Sequence, residues 1–353
     1  MSMDDNGHAS IILEHDILRG SYIPTRLYGR ESQAEQILCC LSPATRKQKP
    51  IHTWLYGEPG TGKTATAISV LRLLEEKHRL RSAIINCWEK HTFHQVLDAM
   101  ISELRILGAE WNRTSFKLER IRSYLKGRPF IVILDEVDRI RPGELSTILY
   151  NLDSMLNAGL VCISGSTQPL YELEERVRSR LNPHTVFFPC YTRPNLEEIL
   201  THRAELALAE NSWSHTALRK IAAMSQGDAR VAIRMLCRAA VQADHHQIDR
   251  ITTTTLAEQV KTVKKAREAS VLNSLTQDHR ILYNIIKQKK QILSGGLWHN
   301  YLGHCTRIKR RPLASRTFSD YMNMLIQTGL ITSERARVKG KVRLFRIANT
   351  CPE

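Results

Sequence analysis

The strongest constraint on the fold comes from the segment GEPGTGKT, which occupies residues 57–64. It fits the phosphate-loop pattern GxxxxGK[ST], follows a short apolar run at residues 52–56, and precedes a predicted helix over residues 63–78. In that setting, backbone N–H groups and the helix N-terminus point at phosphate oxygens. The segment therefore predicts an ATP/ADP site whose contacts come from Gly57, Glu58, Pro59, Gly60, Thr61, Gly62, Lys63, Thr64 and Ala65.

A second motif, DEVD at residues 135–138, directly follows the most strand-like segment of the chain, residues 130–134. We expect Lys63 to reach the β- and γ-phosphates and the Thr64 hydroxyl to hold Mg²⁺. Asp135 would contact the same Mg²⁺, generally through water, and Glu136 would polarise the attacking water as a general base. Acids after a buried strand also occur as solvated turn residues, but the phosphate loop upstream favours the catalytic interpretation.

Short apolar runs alternate with helical patterns through the first half of the chain. The runs occupy residues 52–56, 83–87, 130–134, 160–164 and 185–188. This alternation predicts an α/β domain, a parallel sheet with flanking helices. After Pro194 the strand pattern stops, and an all-α domain is predicted from helical segments at residues 195–210, 215–225 and 228–244.

The net charge of +16 is concentrated at one end of the chain. Residues 261–353 contain 19 Lys+Arg against 5 Asp+Glu, whereas the other residues contain 32 against 30. A basic region attached to a nearly neutral one favours a polyanionic partner, most commonly nucleic acid. No apolar run approaches the ~20 residues that cross a bilayer, and the N-terminus lacks a secretory pattern. We therefore expect a cytoplasmic protein without a membrane partner.

The basic region has the pattern of a winged-helix domain. An apolar stripe near Trp298 and Tyr301 precedes a predicted helix at residues 316–328, and strands at 330–332 and 344–347 flank a basic tip. Lys and Arg would contact phosphates, while helix side chains would read base edges. The alternative, a winged helix that contacts protein, stays open. The candidate DNA contacts are Arg307, Lys309, Arg310, Arg316, Ser319, Asn323, Arg335, Arg337, Lys339 and Lys341.

The phosphate loop, the DExD box and the later segment GDAR at residues 227–230 together resemble the AAA+ superfamily. Within it, the chain resembles the archaeal origin-recognition and cell-division-control replication initiators over about residues 22–348. Residues 1–25 lack helical periodicity, so we expect them to form a partly ordered arm. The resemblance implies an AAA+ base domain at residues 26–192 after this arm. It also implies a helical lid domain at residues 193–262 and a C-terminal winged-helix domain at residues 263–353.

The same resemblance implies roles for residues that spacing alone would leave unassigned. Arg230, in GDAR, would contact the γ-phosphate from the first turn of a lid helix. Tyr191 and Arg203 occupy the positions of a Tyr/Arg pair that contacts nucleotide. Pro24-x-Arg26-Leu27 and Gly29-Arg30-Glu31 are similar to the adenine-side segment of the family, and Asn86-Cys87 matches an Asn-Cys pair that follows the second strand.

Two positions stay open. The family has a sensor Asn after the fourth strand, whereas this chain has Ser166 and Thr167 there. Arg176 and Arg180 both lie where such proteins carry an arginine that reaches the ATP of a neighbouring subunit.

The resemblance implies an ATP-dependent initiator that binds double-stranded origin DNA and helps recruit the replicative helicase. ATP and ADP would act as a switch, with slow hydrolysis in place of a fast motor, possible self-assembly on DNA and association with the nucleoid. Two alternatives accompany this expectation. The first is a sequence-specific DNA-binding regulator in which bound nucleotide is structural, and the second is an AAA+ accessory of a plasmid or mobile element.

Overall fold

The structure is a computed structural model, and it describes residues 10–78, 80–106, 113–156, 158–253, 256, 275–328, 330–335 and 343–347. The chain divides into two compact units, residues 1–256 and residues 257–353. Among the helices in these described ranges, none has the length and apolar content required to cross a bilayer.

The first unit contains a five-stranded sheet in the order β2-β3-β4-β1-β5, and every described strand pair in it is parallel. β1 lies between β4 and β5, so the loop that follows β1 leaves from the middle of the carboxyl edge, the usual ligand edge of such sheets. The strands are β1 (Thr53–Tyr56), β2 (Arg81–Asn86), β3 (Phe130–Asp135), β4 (Ala158–Ser164) and β5 (His184–Phe187).

Helices cover both faces of this sheet. Alternate residues of β3 face opposite layers: Phe130 and Val132 belong to one buried cluster, and Ile131 and Ile133 belong to the other. The predicted parallel sheet with flanking helices is therefore confirmed. The flanking helices are α1 (Glu31–Leu41), α2 (Lys63–His78), α3 (Phe93–Glu103), α4 (Thr114–Leu125), α5 (Pro142–Leu156), α6 (Gln168–Tyr171) and α7 (Glu175–Leu181).

Helix α4 has no counterpart among the sequence predictions. It buries Lys117, Ile121 and Leu125, so a lysine stands where an apolar residue would complete the stripe. The Lys117 ammonium is satisfied by α3, where it pairs with Asp98 and lies 3.0 Å from His94 Nε2. A buried lysine interrupts the hydrophobic periodicity on which helix prediction depends.

Within described residues 188–253, three helices follow the sheet and form a small all-α layer, as predicted: α8 (Arg193–Ala207), α9 (His215–Ser225) and α10 (Ala229–His245). Each begins at a polar side chain that accepts a hydrogen bond from a backbone N–H of the first turn, namely Thr192, Ser214 and Asp228. These caps satisfy amides that the helix itself leaves unpaired. We refer to α8–α10 as the lid.

Residues 10–18 of the N-terminal arm are more structured than the sequence predicts. Residues 15–18 form a short 3₁₀ helix, and Ile11, Ile12 and Leu18 are buried. Ile12 also forms an isolated antiparallel bridge with Leu208, directly after α8. Three apolar side chains and a backbone bridge hold residues 10–18 against the lid, although the segment lacks helical periodicity.

The second unit has the winged-helix order of helix, strand, two helices and a hairpin, which confirms that prediction. Its sheet is antiparallel in the order β6-β8-β7, and its core includes Leu282, Tyr301, Leu325 and Phe345. The elements are α11 (Gln277–Lys289), β6 (Gln291–Leu293), α12 (Ser294–Arg307), α13 (Ser315–Gln327), β7 (Ile331–Arg335) and β8 (Arg343–Ile347).

Candidate nucleotide-binding site

The phosphate loop joins β1 to α2 in a conformation that requires glycine. Gly60 and Gly62 have φ angles of +77° and +86°, where L side chains are strained. A Cβ on Gly60 would lie 1.9 Å from Asp228 Oδ1, and one on Gly62 would lie 2.3 Å from the Tyr191 hydroxyl oxygen. The two glycines therefore let residues near the lid approach the loop backbone, in addition to supplying its curvature.

Three polar side chains meet where the loop enters α2. Lys63 Nζ donates hydrogen bonds to the carbonyls of Gly57 (2.6 Å) and Glu58 (2.9 Å), and Thr64 Oγ1 donates to Asp135 Oδ2 (2.9 Å). Burial lowers the pKa of Lys63 and raises the pKa of Asp135. A hydroxyl beside a carboxylate supplies the hard oxygen ligands that Mg²⁺ takes together with phosphate, so these side chains fit a nucleotide and its metal ion.

Glu136, the predicted general base, has an unusual backbone conformation. Its φ of +59° and ψ of 45° lie in the left-handed region, which costs a non-glycine residue about 1–2 kcal/mol. Its N–H donates to Asp135 Oδ1 (3.0 Å), and its carboxylate lies 3.9 Å from Arg139 Nε. Strained residues of this kind occur preferentially at functional sites.

Arg230 reaches this site from the lid. It stands in the first turn of α10, and the preceding Ala229 N–H donates to the Gly60 carbonyl (3.1 Å). The Tyr191 N–H likewise donates to the Gly227 carbonyl (3.1 Å), just before the cap of α10. The start of α10 is thus bonded to the phosphate loop, which positions Arg230 near Lys63 and Asp135.

A cavity of about 370 Å³ collects most of the predicted nucleotide contacts. Its apolar lining includes Ile23 and Pro24 of the arm, Leu27 just after the arm, and Ile199 and Ile233 of the lid, a composition suited to a planar nucleobase. Gly57, Glu58, Pro59 and Thr61 belong to the same loop but do not line the cavity. The predicted residues that line it are Gly60, Gly62, Lys63, Thr64, Ala65, Asp135, Glu136, Tyr191, Arg203 and Arg230, together with Pro24, Arg26, Leu27 and Asn86 from the family-like segments.

Arg30 is a buried residue of the site to which sequence reasoning gave no individual role. Its guanidinium lies 3.7 Å from the centroid of the Tyr191 ring and donates hydrogen bonds to the carbonyls of Thr61 (2.7 Å) and Pro189 (2.6 Å). It thereby ties the phosphate loop to the segment that follows β5. The resemblance of residues 29–31 to an adenine-side segment was the one signal that pointed to it.

Arg203 lines the cavity, but its hydrogen bonds go to the arm. Arg203 is 4% exposed, and its guanidinium donates to the backbone carbonyls of Ile17, Arg19 (3.1 Å) and Tyr22 (3.0 Å). Burial lowers its pKa to about 10, so it stays protonated at neutral pH. Arg203 was predicted to contact nucleotide. It lines the cavity, but its Nη1 and Nη2 groups hydrogen-bond to the arm.

The residues considered for the sensor position lie outside the cavity lining. Ser164 Oγ accepts from Trp54 Nε1 (2.9 Å) and donates to the Ser166 carbonyl (2.5 Å), and Ser166 Oγ accepts from the Gln168 N–H (3.3 Å). Ser166 and Thr167 are therefore not among the residues that face the site.

Arg176 and Arg180 have different surroundings on α7, and neither lines the cavity. The Arg176 side chain is 76% exposed and pairs with the exposed Glu174 (3.0 Å). Arg180 Nε pairs with Asp153 Oδ2 (2.5 Å), a carboxylate that is 1% exposed and also contacts Lys49 and His52. Arg180 is thus anchored to the interior, whereas Arg176 projects from the surface.

The predicted DNA contacts fall into three groups. Arg310 is engaged internally, because it pairs with Asp278 (2.7 Å), which also accepts from the Tyr301 hydroxyl (2.9 Å). Arg337, Lys339 and Lys341 lie outside the described residues, and Arg335 is described only as the last residue of β7. The exposed group contains Arg307 at the end of α12, Lys309 in the following loop, and Arg316, Ser319 and Asn323 on one face of α13.

Comparison with known families agrees with this geometry. The family model described as AAA ATPase domain matches residues 26–163, and the model described as Cdc6 AAA+ ATPase-type lid domain matches residues 197–265. The parallel sheet, phosphate loop and lid therefore define an AAA+ ATPase, a class that binds ATP and ADP. A relative from Archaeoglobus fulgidus, ORC1-type DNA replication protein 1, is 30% identical over 358 residues, which cover 94% of this chain and 87% of the relative.

The chain belongs to the ORC1-type DNA replication protein family and is a DNA replication initiator, which confirms the resemblance seen in the sequence. Among solved structures, the Aeropyrum pernix ORC1 protein in complex with DNA is 26% identical, with a TM-score of 0.66 over 96% of this chain and 94% of that one. The Aeropyrum pernix ORC2 protein in its ADPNP–ADP complexes shares the fold at 21% identity. Its TM-score is 0.74 over 97% of this chain and 96% of that one.

Proposed function

We propose that this initiator binds double-stranded origin DNA through its winged helix, uses ATP and ADP as a switch, and helps recruit the replicative helicase. The observation that carries the proposal is the bond between Ala229 and Gly60, which fixes Arg230 beside Lys63 and Asp135. Since ATP has a γ-phosphate and ADP lacks it, a lid cation at this position makes lid geometry depend on the nucleotide.

The hydrolytic roles follow from the same cavity. Lys63 and Arg230 offset the charge of the β- and γ-phosphates, and Thr64 and Asp135 hold Mg²⁺. Glu136 takes a proton from the attacking water. We infer slow turnover, suited to a switch, because the sensor position lacks the family's asparagine and Ser166 lies outside the cavity lining.

The winged helix supplies the DNA contacts. Arg316, Ser319 and Asn323 share the exposed face of α13, and Arg307 and Lys309 are exposed near its start. We propose that the α13 face enters the major groove while the exposed cations and the tip residues Arg335, Arg337, Lys339 and Lys341 contact phosphates. Arg310 fits this role less well because Asp278 already pairs with it.

We further propose that copies of the chain assemble side by side on DNA, with Arg176 reaching the ATP of a neighbour. Arg176 suits this role because it is exposed, whereas Arg180 is held by the buried Asp153. Arg180 would instead fix the position of α7. A protein that acts in this way on chromosomal origins would reside with the nucleoid in the cytoplasm.

A second candidate is a sequence-specific DNA-binding regulator in which the nucleotide is purely structural. The observation that favours it is the same altered sensor region, since Ser164 and Ser166 hydrogen-bond locally and neither lines the nucleotide cavity. The two candidates differ in whether DNA affinity depends on which nucleotide is bound.

Binding to duplex DNA across a salt series tests the DNA proposal. The logarithm of the binding constant should fall linearly with the logarithm of salt, with a slope of about −0.9 per phosphate contacted. Arg316→Ala should make the slope about one unit shallower if Arg316 contacts phosphate, or reduce sequence selectivity if it contacts a base. Arg219→Ala, which removes the same charge from the exposed surface of α9, is the matched control. Equal weakening by both variants would contradict a specific winged-helix interface.

A further inference from the structure

The arm is fastened to the lid by its backbone. The Leu13 N–H donates to the Ala207 carbonyl (2.8 Å), and the Ala209 N–H donates to the Ile11 carbonyl (2.8 Å), on either side of the bridge between Ile12 and Leu208. These bonds occupy groups at the C-terminal end of α8 that the helix itself leaves unpaired. The arm therefore pairs with backbone groups at the C-terminal end of α8.

A second lid helix, α10, binds residues 10 and 11 of the arm. The Asp244 carboxylate, near the C-terminal end of α10, accepts hydrogen bonds from Ser10 Oγ (2.6 Å) and the Ile11 N–H (2.7 Å). α10 is also the helix that carries Arg230 in its first turn. One helix thus bonds to the phosphate loop at its start and to the arm near its end.

Arg203 makes the most extensive side-chain contact between lid and arm. It is buried on α8, donates to three arm carbonyls and lies 4.6 Å from the centroid of the Tyr22 ring. A planar guanidinium is suited to this task because its donors point in fixed directions. A lysine, with one ammonium group, would not reproduce the same set of bonds.

Between Tyr28 and Arg30, the contacts of the chain change from the lid to the phosphate loop of the base domain. Tyr28 packs against His202 of α8, with ring centroids 5.5 Å apart, whereas Arg30 bonds to Thr61 of the phosphate loop. Gly29 lies between them at a φ of +64°, and a Cβ there would lie 1.5 Å from Asn195 Nδ2. Residues 10–28 consequently belong with the lid, and the chain joins the base at Arg30.

We propose that residues 10–28 and the lid move as one body, with Arg203 as the positioning residue that keeps the arm on it. Ile23, Pro24 and Leu27 then form a nucleotide-cavity wall that shifts together with Arg230. Nucleotide leaves only when this combined body moves away from the phosphate loop. The nucleobase end and the γ-phosphate end of the cavity therefore open together. The inference rests on the nucleotide site of the proposed function.

Release of a fluorescent ADP analogue from the full chain tests the role of Arg203. Arg203→Met and Asp244→Ala should each accelerate release about tenfold or more, since each removes charge-assisted hydrogen bonds that hold the arm on the lid. Arg203→Lys should restore part of the wild-type rate. Arg219→Met, on the exposed surface of α9, is the matched control and should release at the wild-type rate. Wild-type release by both Arg203→Met and Asp244→Ala would overturn the proposal.

A disulfide between arm and lid separates combined motion from an independent flap. Ile12 and Leu208 are bridge partners, so Ile12→Cys with Leu208→Cys places two cysteines at a spacing that suits a disulfide. Oxidation should leave ADP release within about twofold of the reduced protein, because the arm need not leave the lid. Strongly slowed release on oxidation would overturn the proposal. Lys63→Ala should abolish binding of the analogue, which tests the nucleotide site separately. Failure of the proposed nucleotide site can then be distinguished from failure of the proposed combined motion.

Discussion

Gly60 is a point of direct contact between the phosphate loop and the lid. Its carbonyl accepts from the Ala229 N–H (3.1 Å), and the Asp228 carboxylate occupies the space that a Cβ would need. Because Arg230 is the next residue of α10, a displacement at Gly60 displaces the lid cation as well. A backbone position without a side chain therefore sets the geometry on which the switch depends.

Gly60→Ala should weaken nucleotide binding more than tenfold, because the Asp228 carboxylate, which caps α10 by accepting from the Val231 N–H, must move to make room for the methyl group. Gly127→Ala is a matched control, since Gly127 has a φ of +71° but nothing within 4 Å of an added Cβ. Both variants pay about 1–2 kcal/mol for a left-handed alanine, so the difference between them isolates the contact with the lid. Calorimetric titration with ADP gives the comparison, and equal affinities would contradict it.

His279 is a buried, partly unsatisfied histidine in the winged helix. Its ring stacks on Tyr321 of α13 with centroids 3.9 Å apart, and Nδ1 lies 2.8 Å from Thr276 Oγ1. Within the described part of the chain, Nε2 has no hydrogen-bond partner. Burial lowers the pKa of His279 below its ordinary value of 6.5. The neutral ring therefore contributes to the packing of the proposed DNA-reading helix.

The stability of the winged helix should fall as the pH drops below about 6.5. The unfolded state then binds a proton that the folded state resists, so unfolding is favoured in that range. Above 6.5 the histidine is neutral in both states and its contribution is complete. Hydrogen-exchange protection of α11 and α13 in the full chain, measured between pH 5.5 and 7.5, should show this decline. The decline should shrink in His279→Phe, and the same decline in both proteins would exclude His279 as its source.

At the scale of single elements, α7 combines one anchored and one projecting arginine. Burial alone would raise the pKa of Asp153, but hydrogen bonds from Lys49 and Arg180 outweigh burial and lower it. The interior carboxylate therefore stays charged and holds α7 through Arg180. Arg176, four residues earlier on the same helix, pairs with the exposed Glu174 and lies 5.6 Å from the centroid of the Tyr150 ring, so no buried carboxylate among the described residues holds it.

Arg180→Ala should lower the melting temperature, because it removes one partner of a buried carboxylate. Arg176→Ala should leave the melting temperature and nucleotide affinity unchanged while reducing ATP hydrolysis when several copies are bound to DNA. Thermal unfolding and ATPase assays with and without DNA separate the two effects. If Arg180→Ala kept full stability and Arg176→Ala kept full DNA-dependent hydrolysis, the division of roles would be wrong.

The sequence identified features whose residues are neighbours in the chain, such as the phosphate loop and the DExD box. The sequence did not predict features that depend on a partner residue far away in the chain or on a backbone group. Helix α4 depends on Lys117 meeting Asp98 of another helix. Arg203 meets carbonyls about 180 residues earlier, and a carbonyl has no signature in the amino-acid sequence. Arg176 and Arg180 look alike in the sequence because Asp153, which distinguishes them, lies on α5.

At the scale of the whole molecule, the nucleotide site and the excess positive charge lie in different parts of the chain. The first unit contains the cavity, and nearly all of the excess positive charge lies in residues 261–353. The proposed function requires that the state of the first unit alter DNA binding by the second. A coupling free energy of about 1–3 kcal/mol, typical of such linkage, corresponds to a change in affinity of roughly 5- to 150-fold.

Affinity for origin duplex in the presence of ATP and of ADP, measured for the wild type, Glu136→Gln and Arg230→Ala, tests this coupling most directly. We expect the wild type to differ at least about fivefold between the two nucleotides. Glu136→Gln should hold the affinity of the ATP form, since hydrolysis stops, and Arg230→Ala should bind DNA equally with either nucleotide. Equal wild-type affinity with ATP and ADP would contradict the switch and favour a purely structural nucleotide.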